Sequence, residues 1–343
     1  THTTSSAASD VYKRQGSHTS VLLLEKGYDI VVVDDLSNSN IEVLDNIFEI
    51  TSKKPAFEKI DLKDKKAVSK LFQDYTFDGI IHFAAHKSVN ESVNYPEKYF
   101  SNNVGSLENI IDEIKLLENP INFIFSSSCT VYGQADSMPI DESFPLKEAE
   151  SPYGQSKRQC EEVLKSLHDS GHSFKNITLR YFNPIGAHPS ALIGELPLGI
   201  PENLVPYITQ TAIGKRECLT VFGDDYETAD GTCVRDYIHI MDLAEVHITC
   251  LEKLISSNDD SFFKVYNVGT GKGTSVLELI NIFENVNDLK LNYKIGERRK
   301  GDVVTAYADT SKIKEELNWS TKNSLKNALK SAWNWELNLN KYE

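Results

Sequence analysis

A tyrosine and a lysine four residues apart, Tyr153 and Lys157, stand in the stretch SPYGQSK at 151–157. On a helix, positions i and i+4 share a face. An ammonium beside a phenol favours the phenolate, which makes Tyr153 a candidate general base near neutral pH. Alone the pattern is weak, because both residues are common on helix surfaces. Two neighbours add weight. Ser128 closes the apolar run NFIFSSS at 122–128, where a hydroxyl can hydrogen-bond a reacting oxygen. Asp34 closes the run DIVVVD at 29–34. An acid at the end of such a strand bonds a ribose 2′-hydroxyl and repels a 2′-phosphate, which favours NAD over NADP. The plainer alternative for Asp34 is a turn former.

These residues need elements to hold them. From about residue 17 the pattern alternates helix and strand. Helices are expected over 17–26, 41–50, 65–74, 97–117 and 153–170, and strands over 29–34, 57–62, 79–85, 122–128 and 176–182. Strands separated by helices mean β-α-β units and a parallel sheet. Ligands of such sheets sit beyond the carboxyl ends of the strands, which here are Asp34, Asp61, Ala84, Ser128 and Asn183. Residues 184–235 are rich in proline, glycine and polar residues and read as binding loops, with a helical patch at 204–213. Beyond them a helix from Ile240, a strand at 264–268 and helices near 275–286, 309–317 and 323–338 are expected. The expected fold is α/β: a Rossmann-like doubly wound parallel sheet over 16–183, then a smaller α/β domain over 184–343 with some elements returning to the first.

Composition narrows the function classes. A chain of 343 residues suits about two domains. Its formal charge of −14 argues against nucleic acid, which needs a basic face, but not against a small anion held by a few local arginines. Five cysteines with no C-x-x-C pair point to a reduced, cytoplasmic, metal-free protein. His82, His188 and His239 show no metal-ligand spacing. No apolar run approaches membrane-spanning length, and no apolar leader segment opens the chain.

The beginning departs from the pattern. A dinucleotide fold opens with a strand, a glycine-rich turn, and a helix whose N–H groups face the pyrophosphate. Here THTTSSAASDVYKRQG precedes the first helix, with Gly16 as its one glycine. Gly-x-x-Gly-x-x-Gly spacing puts glycines at 10 and 13, where Asp10 and Lys13 stand. Nothing in the segment resembles a buried strand. Residues 1–15 are therefore expected to be a non-native segment replacing the first strand and glycine turn. A natural, degenerate cofactor site is the alternative.

The stretches GSHT (16–19), VVVDDLSNS (31–39), HFAAHKSVNES (82–92), NNV (102–104), FSSSCTVYG (125–133), SPYGQSK (151–157), RYFNPIGAHPS (180–190), GIPENLVPYI (199–208), RDYIHIMDLA (235–244) and RRKGD (298–302) together resemble the UDP-glucose 4-epimerases of the extended short-chain dehydrogenase/reductase superfamily. The resemblance covers almost everything from Gly16 onward. It implies NAD as cofactor, a UDP-sugar as substrate, and a homodimer formed through the helices expected at 97–117 and 153–170. Tyr153 is then the acid/base, Lys157 its electrostatic partner and a nicotinamide-ribose ligand, and Ser128 the hydroxyl partner. For the cofactor the resemblance implies Gly16, Asp34, Asp35, Leu36, Ser37 and Asn38 toward the phosphates and adenosine ribose. Asp61 and Leu62 flank the adenine, and Phe83, Ala84, Lys87, Asn102 and Phe182 line the remainder. For the substrate it implies Asn183, Asn203, Arg235, Arg299 and Asp302, with Lys87, Ser128 and Tyr153 near the sugar. In the implied reaction Tyr153 takes the 4-hydroxyl proton while C4 gives hydride to NAD. The 4-keto sugar then turns, and hydride returns to its other face.

Relatives that are 4,6-dehydratases carry Thr-Asp-Glu at the strand end. Cys129 and Thr130 stand there, and neither is a carboxylic acid. A uronate 4-epimerase stays open, as does a non-catalytic protein that lacks the glycine turn. In the family a residue shortly after Arg-Arg-x-Gly-Asp walls the sugar 2-substituent. Ala306 aligns with it, and Tyr307 points the other way if the stretch is extended. A small residue there implies that UDP-N-acetyl sugars are accepted too.

Overall fold

The computed structural model of the chain describes residues 2–6, 14–197, 199–299 and 302–341. The strands of the main sheet are β1 (His2–Ser6), β2 (Asp29–Asp34), β3 (Ala56–Lys59), β4 (Gly79–His82), β5 (Ile121–Ser128), β6 (Phe174–Tyr181) and, much later in the chain, β11 (Phe262–Val268), of which β2, β4 and β5 are apolar, β-branched or aromatic runs. Their order is β11-β6-β5-β4-β1-β2-β3. The six strands from β3 to β6 pair in parallel. The run 3-2-1-4-5-6 is that of a dinucleotide-binding sheet, with its switch point between β1 and β4.

Helices α1 (Arg14–Glu25), α2 (Val43–Thr51), α3 (Lys65–Asp74), α4 (Val89–Asn94), α5 (Pro96–Tyr99), α6 (Gly105–Ile114) and α7 (Pro152–Asp169) connect these strands. Their apolar faces make the core. Leu107, Ile110 and Ile114 of α6 join Cys160, Leu164 and Leu167 of α7 against Phe123 and Phe125 of β5. Both α6 and α7 therefore lie on one face of the sheet.

The chain forms two compact units, residues 1–133, 145–181 and 244–266, and residues 134–144, 182–243 and 267–343. In the second unit the elements are β7 (Asn183–Ile185), α8 (Leu204–Ala212), β8 (Leu219–Phe222), β9 (Val234–Arg235) and β10 (Tyr237–His239). They are followed by β12 (Thr274–Ser275), α10 (Val276–Asn287), β13 (Tyr293–Gly296), β14 (Thr305–Ala306), α11 (Ser311–Leu317) and α12 (Leu325–Leu339). Between the two sets runs α9 (Ile240–Ser256), most of which belongs to the first unit. Its Leu251 packs so closely on β4 that a Cβ on Gly79 would stand 2.6 Å from Leu251 Cδ1, so β4 opens on a residue with no room for a side chain. The second unit has its own core, in which Ile208, Val221, Leu279, Phe283 and Leu329 come together.

Three sequence expectations need correction. No strand is expected before residue 17, yet His2–Ser6 fills the central slot, with Thr3 in register with both Ile30 and Gly79. The backbones of β2 and β4 both need partners there, and main-chain bonding serves a polar stretch as well as an apolar one. The following helix starts at Arg14, so Gly16 lies within its first turn and not ahead of it. Positions 10 and 13 lie outside the described residues. The long helix expected over 97–117 is interrupted by a π-helical turn at Phe100–Val104. Asn103 explains why the turn holds: its amide bonds both backbone groups of His86, at 2.7 and 3.0 Å, and the Ser156 hydroxyl at 2.9 Å. Finally, the stretch 184–235 is more than loop. It contributes β7 to a pairing with β10, β8 to one with β13, and β9 to a three-stranded sheet with β12 and β14. Strands of two to four residues leave no readable period.

Asp236 fastens that small sheet. Its buried carboxylate accepts from Thr270 N (2.8 Å), Thr270 Oγ1 (2.6 Å), Gly271 N (3.0 Å) and Ala308 N (3.2 Å). Asp236→Ala strands three backbone donors and is expected to destabilise the protein by roughly 3 kcal/mol or more, read from urea unfolding midpoints. A loss below about 1 kcal/mol would mean that water replaces the carboxylate there.

Candidate active site

In the first unit the catalytic candidates are built on β5 and α7. Ser151 caps α7, its hydroxyl accepting from Gly154 N at 3.2 Å, and Pro152 stands at the first helical position. The helix therefore starts abruptly, and its first turn carries Tyr153, which is buried. Lys157 follows one turn later on the same face, 2% exposed. A buried ammonium must be solvated by the protein. Lys157 Nζ donates to the Ser126 carbonyl at 2.7 Å and lies 4.9 Å from the centre of the Phe125 ring. Ser128 ends β5, and its Oγ accepts from Thr130 Oγ1 at 3.0 Å and Thr130 N at 3.3 Å. The Tyr99 ring meets Tyr153 edge-on, with centroids 6.5 Å apart. Sequence patterns give no sign of Tyr99, since it reads there as one more apolar helix position.

Electrostatics around Lys157 favour one cation. Burial, followed by the nearby Lys157 charge, pushes the His82 imidazole down to about 3, so it stays neutral between the Phe123 and Phe125 rings. Burial pushes the Cys160 thiol up to about 12, which removes it as a nucleophile.

The loop after β2 is shaped by Asp34. This fully buried carboxylate accepts from Leu36 N at 2.8 Å and Ser39 Oγ at 2.7 Å, and Leu36 takes a left-handed conformation at φ 59°. Asp35 holds Ser37 in turn, accepting from its N at 2.9 Å and its Oγ at 2.7 Å. Asn38 completes the loop, half-buried. At the ends of the neighbouring strands, Phe83 and Ala84 are buried and Asn102 lies buried in the π turn. Phe83 packs against His247 of α9, centroids 4.8 Å apart. Lys87 is exposed. Asp61 is exposed and accepts from Lys63 N, whereas the Leu62 side chain points into the core under the sheet. The donor set suits a dinucleotide: a carboxylate at the β2 end, a buried amide, a buried ammonium, and an apolar wall. The departure is in the sequence, at Asp10 and Lys13.

The second unit gathers the anion-binding candidates. Asp302 receives Arg299 through Nη2 at 2.6 Å and Nε at 3.2 Å, with Arg235 Nη2 3.9 Å away. Burial works against the Arg299 charge, and Asp302 more than restores it. Asn203 stands just ahead of α8, its amide on Glu195 at 2.5 Å. Asn183 opens β7 and donates its N–H to the Asp236 carbonyl at 2.9 Å, and the N–H of buried Phe182 reaches Val268 O at 3.0 Å. In the small sheet Ala306 is in register with Arg235. Register partners on parallel strands share a face. A Cβ on Gly273 would meet Val234 at 2.5 Å and the Tyr307 ring at 3.1 Å, so Tyr307 sits with Val234, on the face opposite Ala306 and Arg235. Among the described residues no group of three or more His, Cys, Asp or Glu side chains could hold a metal ion, and no helix is long and apolar enough to cross a membrane.

A sheet in the order 3-2-1-4-5-6 with a buried Tyr-x-x-x-Lys helix beside a strand-end serine defines an extended short-chain dehydrogenase/reductase. A family model described as GDP-mannose 4,6 dehydratase matches residues 14–332. More specific likenesses follow. The chain is 47% identical to UDP-glucose 4-epimerase of Bacillus subtilis over 96% of each chain. Its fold matches the UDP-glucose-4-epimerase of Stenotrophomonas maltophila, solved with NAD and formylated UDP-arabinopyranose, with a TM-score of 0.93 and 39% identity over 100% and 99% of the two chains. It matches the Bifidobacterium longum enzyme, solved with NAD+ and UDP, with a TM-score of 0.92 and 39% identity over 98% of each. The chain belongs to the UDP-glucose 4-epimerase family. Cys129 and Thr130 after Ser128 agree with that placement over a dehydratase, which needs acids there.

Proposed function

We propose that the chain interconverts UDP-glucose and UDP-galactose with NAD as resident cofactor. The observation that carries this reading is the buried Tyr153–Lys157 pair on the first turns of α7, beside the β5 end that presents Ser128. Asp34 to Asn38 hold the adenosine ribose, with Gly16 in the first turn of α1 toward the phosphates. Asp61 and Leu62 flank the adenine, Leu62 through its backbone since its side chain is in the core. Phe83, Ala84, Lys87, Asn102, Lys157 and Phe182 hold the rest. Bound there, NAD supplies a reversible hydride acceptor.

The protein's own part is proton handling and anchoring. Tyr153 removes the proton of the sugar 4-hydroxyl, Ser128 hydrogen-bonds the same oxygen, and the Lys157 ammonium stabilises the phenolate. Arg235 and Arg299 neutralise the pyrophosphate, with Asp302 fixing the guanidinium of Arg299. Asn183 and Asn203 hold the rest of the UDP-sugar. Firm UDP anchoring with a loosely held hexose lets the 4-keto sugar turn its other face. The test is conversion of UDP-galactose to UDP-glucose by NAD-loaded protein, followed in a coupled assay. Loaded, folded protein without conversion would refute the reading.

Ala306 sets substrate breadth. A methyl on the Arg235 face leaves room for an acetamido group, so the enzyme also epimerises UDP-N-acetylgalactosamine. Ala306→Tyr is expected to cut that activity by on the order of 10² or more through a clash, while UDP-galactose turnover changes little. Wild-type protein that turns over UDP-galactose but not the acetamido sugar would overturn the assignment. Five free cysteines support residence in the reducing cytoplasm, and the chain acts as a homodimer through the α5–α6 segment and α7.

A further inference from the structure

The strand that carries Ser128 and the helix that carries Tyr153 are held together by buried charge. Glu161 lies one turn beyond Lys157 on α7, and Arg180 lies on β6 in register with Ser127. Arg180 Nη2 and Nε reach the Glu161 carboxylate at 2.5, 3.0 and 3.1 Å, with both side chains less than a tenth exposed. The same carboxylate accepts from Ser127 Oγ at 2.5 Å. The remaining arm of the guanidinium, Nη1, donates to Tyr132 Oη at 3.0 Å, and the guanidinium carbon lies 4.9 Å from the centre of that ring. Tyr132 ends the 3₁₀ turn Cys129–Tyr132, which Ser128 opens as its cap.

We propose that the Glu161–Arg180 pair is a positioning element that sets the Ser128 hydroxyl against the Tyr153 end of α7. The inference rests on the reading of Ser128 and Tyr153 as catalytic. Ser128 is bracketed: Ser127 before it is tied to Glu161, and Tyr132 after it is tied to Arg180. A buried ion pair adds little net stability over an apolar pair of similar size, because both charges lose their water. What it supplies is direction, since a planar guanidinium meets a carboxylate edge-on through two parallel bonds. Lys157 ties the same helix to the Ser126 carbonyl. Two successive turns of α7 are thus fastened to successive residues of β5, immediately before Ser128. Glu161 and Arg180 act through the residues they hold, Ser127 and Tyr132, and not on the reacting atoms.

The test compares turnover per NAD-loaded molecule in wild type, Glu161→Gln, Ser128→Ala and the double variant. Glu161→Gln is expected to lower kcat by roughly 10–100-fold with KM for UDP-galactose held within about twofold, since small misplacements of reacting groups are costly. In the Ser128→Ala background the same substitution should cost less than about threefold, because the hydroxyl it positions is gone. An unchanged kcat in Glu161→Gln, or an undiminished loss in the double variant, overturns the proposal while the reading of the site stands. Full turnover in Ser128→Ala overturns that reading and the proposal with it. Where Glu161→Gln does not fold, Tyr132→Phe carries the same comparison: it removes one hydroxyl and keeps the ring, with an expected loss of about 3–10-fold.

Discussion

Tyr153→Phe is expected to lower turnover of UDP-galactose by on the order of 10² or more, with NAD content and KM little changed. The substitution keeps the ring, the burial and the edge-on packing against Tyr99. It removes the one oxygen that exchanges a proton with the sugar. The loss is therefore a transition-state loss and falls on kcat. Lys157→Met should cost a similar factor by removing the cation while keeping the stem that fills the space beside Phe125. It differs in also weakening cofactor retention, because the ammonium is proposed to touch the nicotinamide ribose. Near-normal turnover in Tyr153→Phe, measured in a coupled assay at saturating substrate, would remove it as the base.

The second large effect concerns the cofactor and the first residues of the chain. His2–Ser6 supplies the central strand, but glycine spacing counted back from Gly16 in the sequence falls on Asp10 and Lys13. Glycines there let the backbone approach a pyrophosphate closely; a side chain keeps it away, and a carboxylate repels it. We propose that residues 1–15 replace a native strand and glycine turn. Exchanging them for an apolar strand followed by Gly-x-x-Gly-x-x-Gly ending at Gly16 is expected to raise NAD affinity by roughly 10² or more. The measurement is NAD released per chain on denaturing protein that has passed through gel filtration. Equal, stoichiometric NAD in both chains would refute the replacement.

Much of the first unit was legible because its signals are long. DIVVVD and NFIFSSS are runs of buried-strand type, and their ends mark Asp34 and Ser128. The patterns of α7, α10 and α12 place those helices to within a few residues, and Ile240 marks where α9 starts. What escaped reading depends on partners distant in the chain. A π turn at Phe100–Val104 exists because Asn103 finds His86 and Ser156, which a helical period across 97–117 does not reveal. The strands β7 to β10 are too short to show alternation and are set by pairing with one another or with β12 to β14. The strand at His2–Ser6 is polar and follows from the empty slot beside β2 and β4, not from its side chains. Glu161 and Arg180 read as ordinary charged residues; only the sheet register brings Arg180 beside Ser127.

The proposed reaction is oxidation at the sugar C4 with return of the same hydrogen to the same carbon. UDP-galactose deuterated at C4 tests this most directly, with the NAD-loaded protein in ordinary water and the product examined by proton NMR and mass spectrometry. The predicted result is UDP-glucose that keeps the deuterium at C4, formed more slowly than from unlabelled substrate. UDP-glucose carrying solvent hydrogen at C4 would contradict it, as would a dehydrated 6-deoxy product.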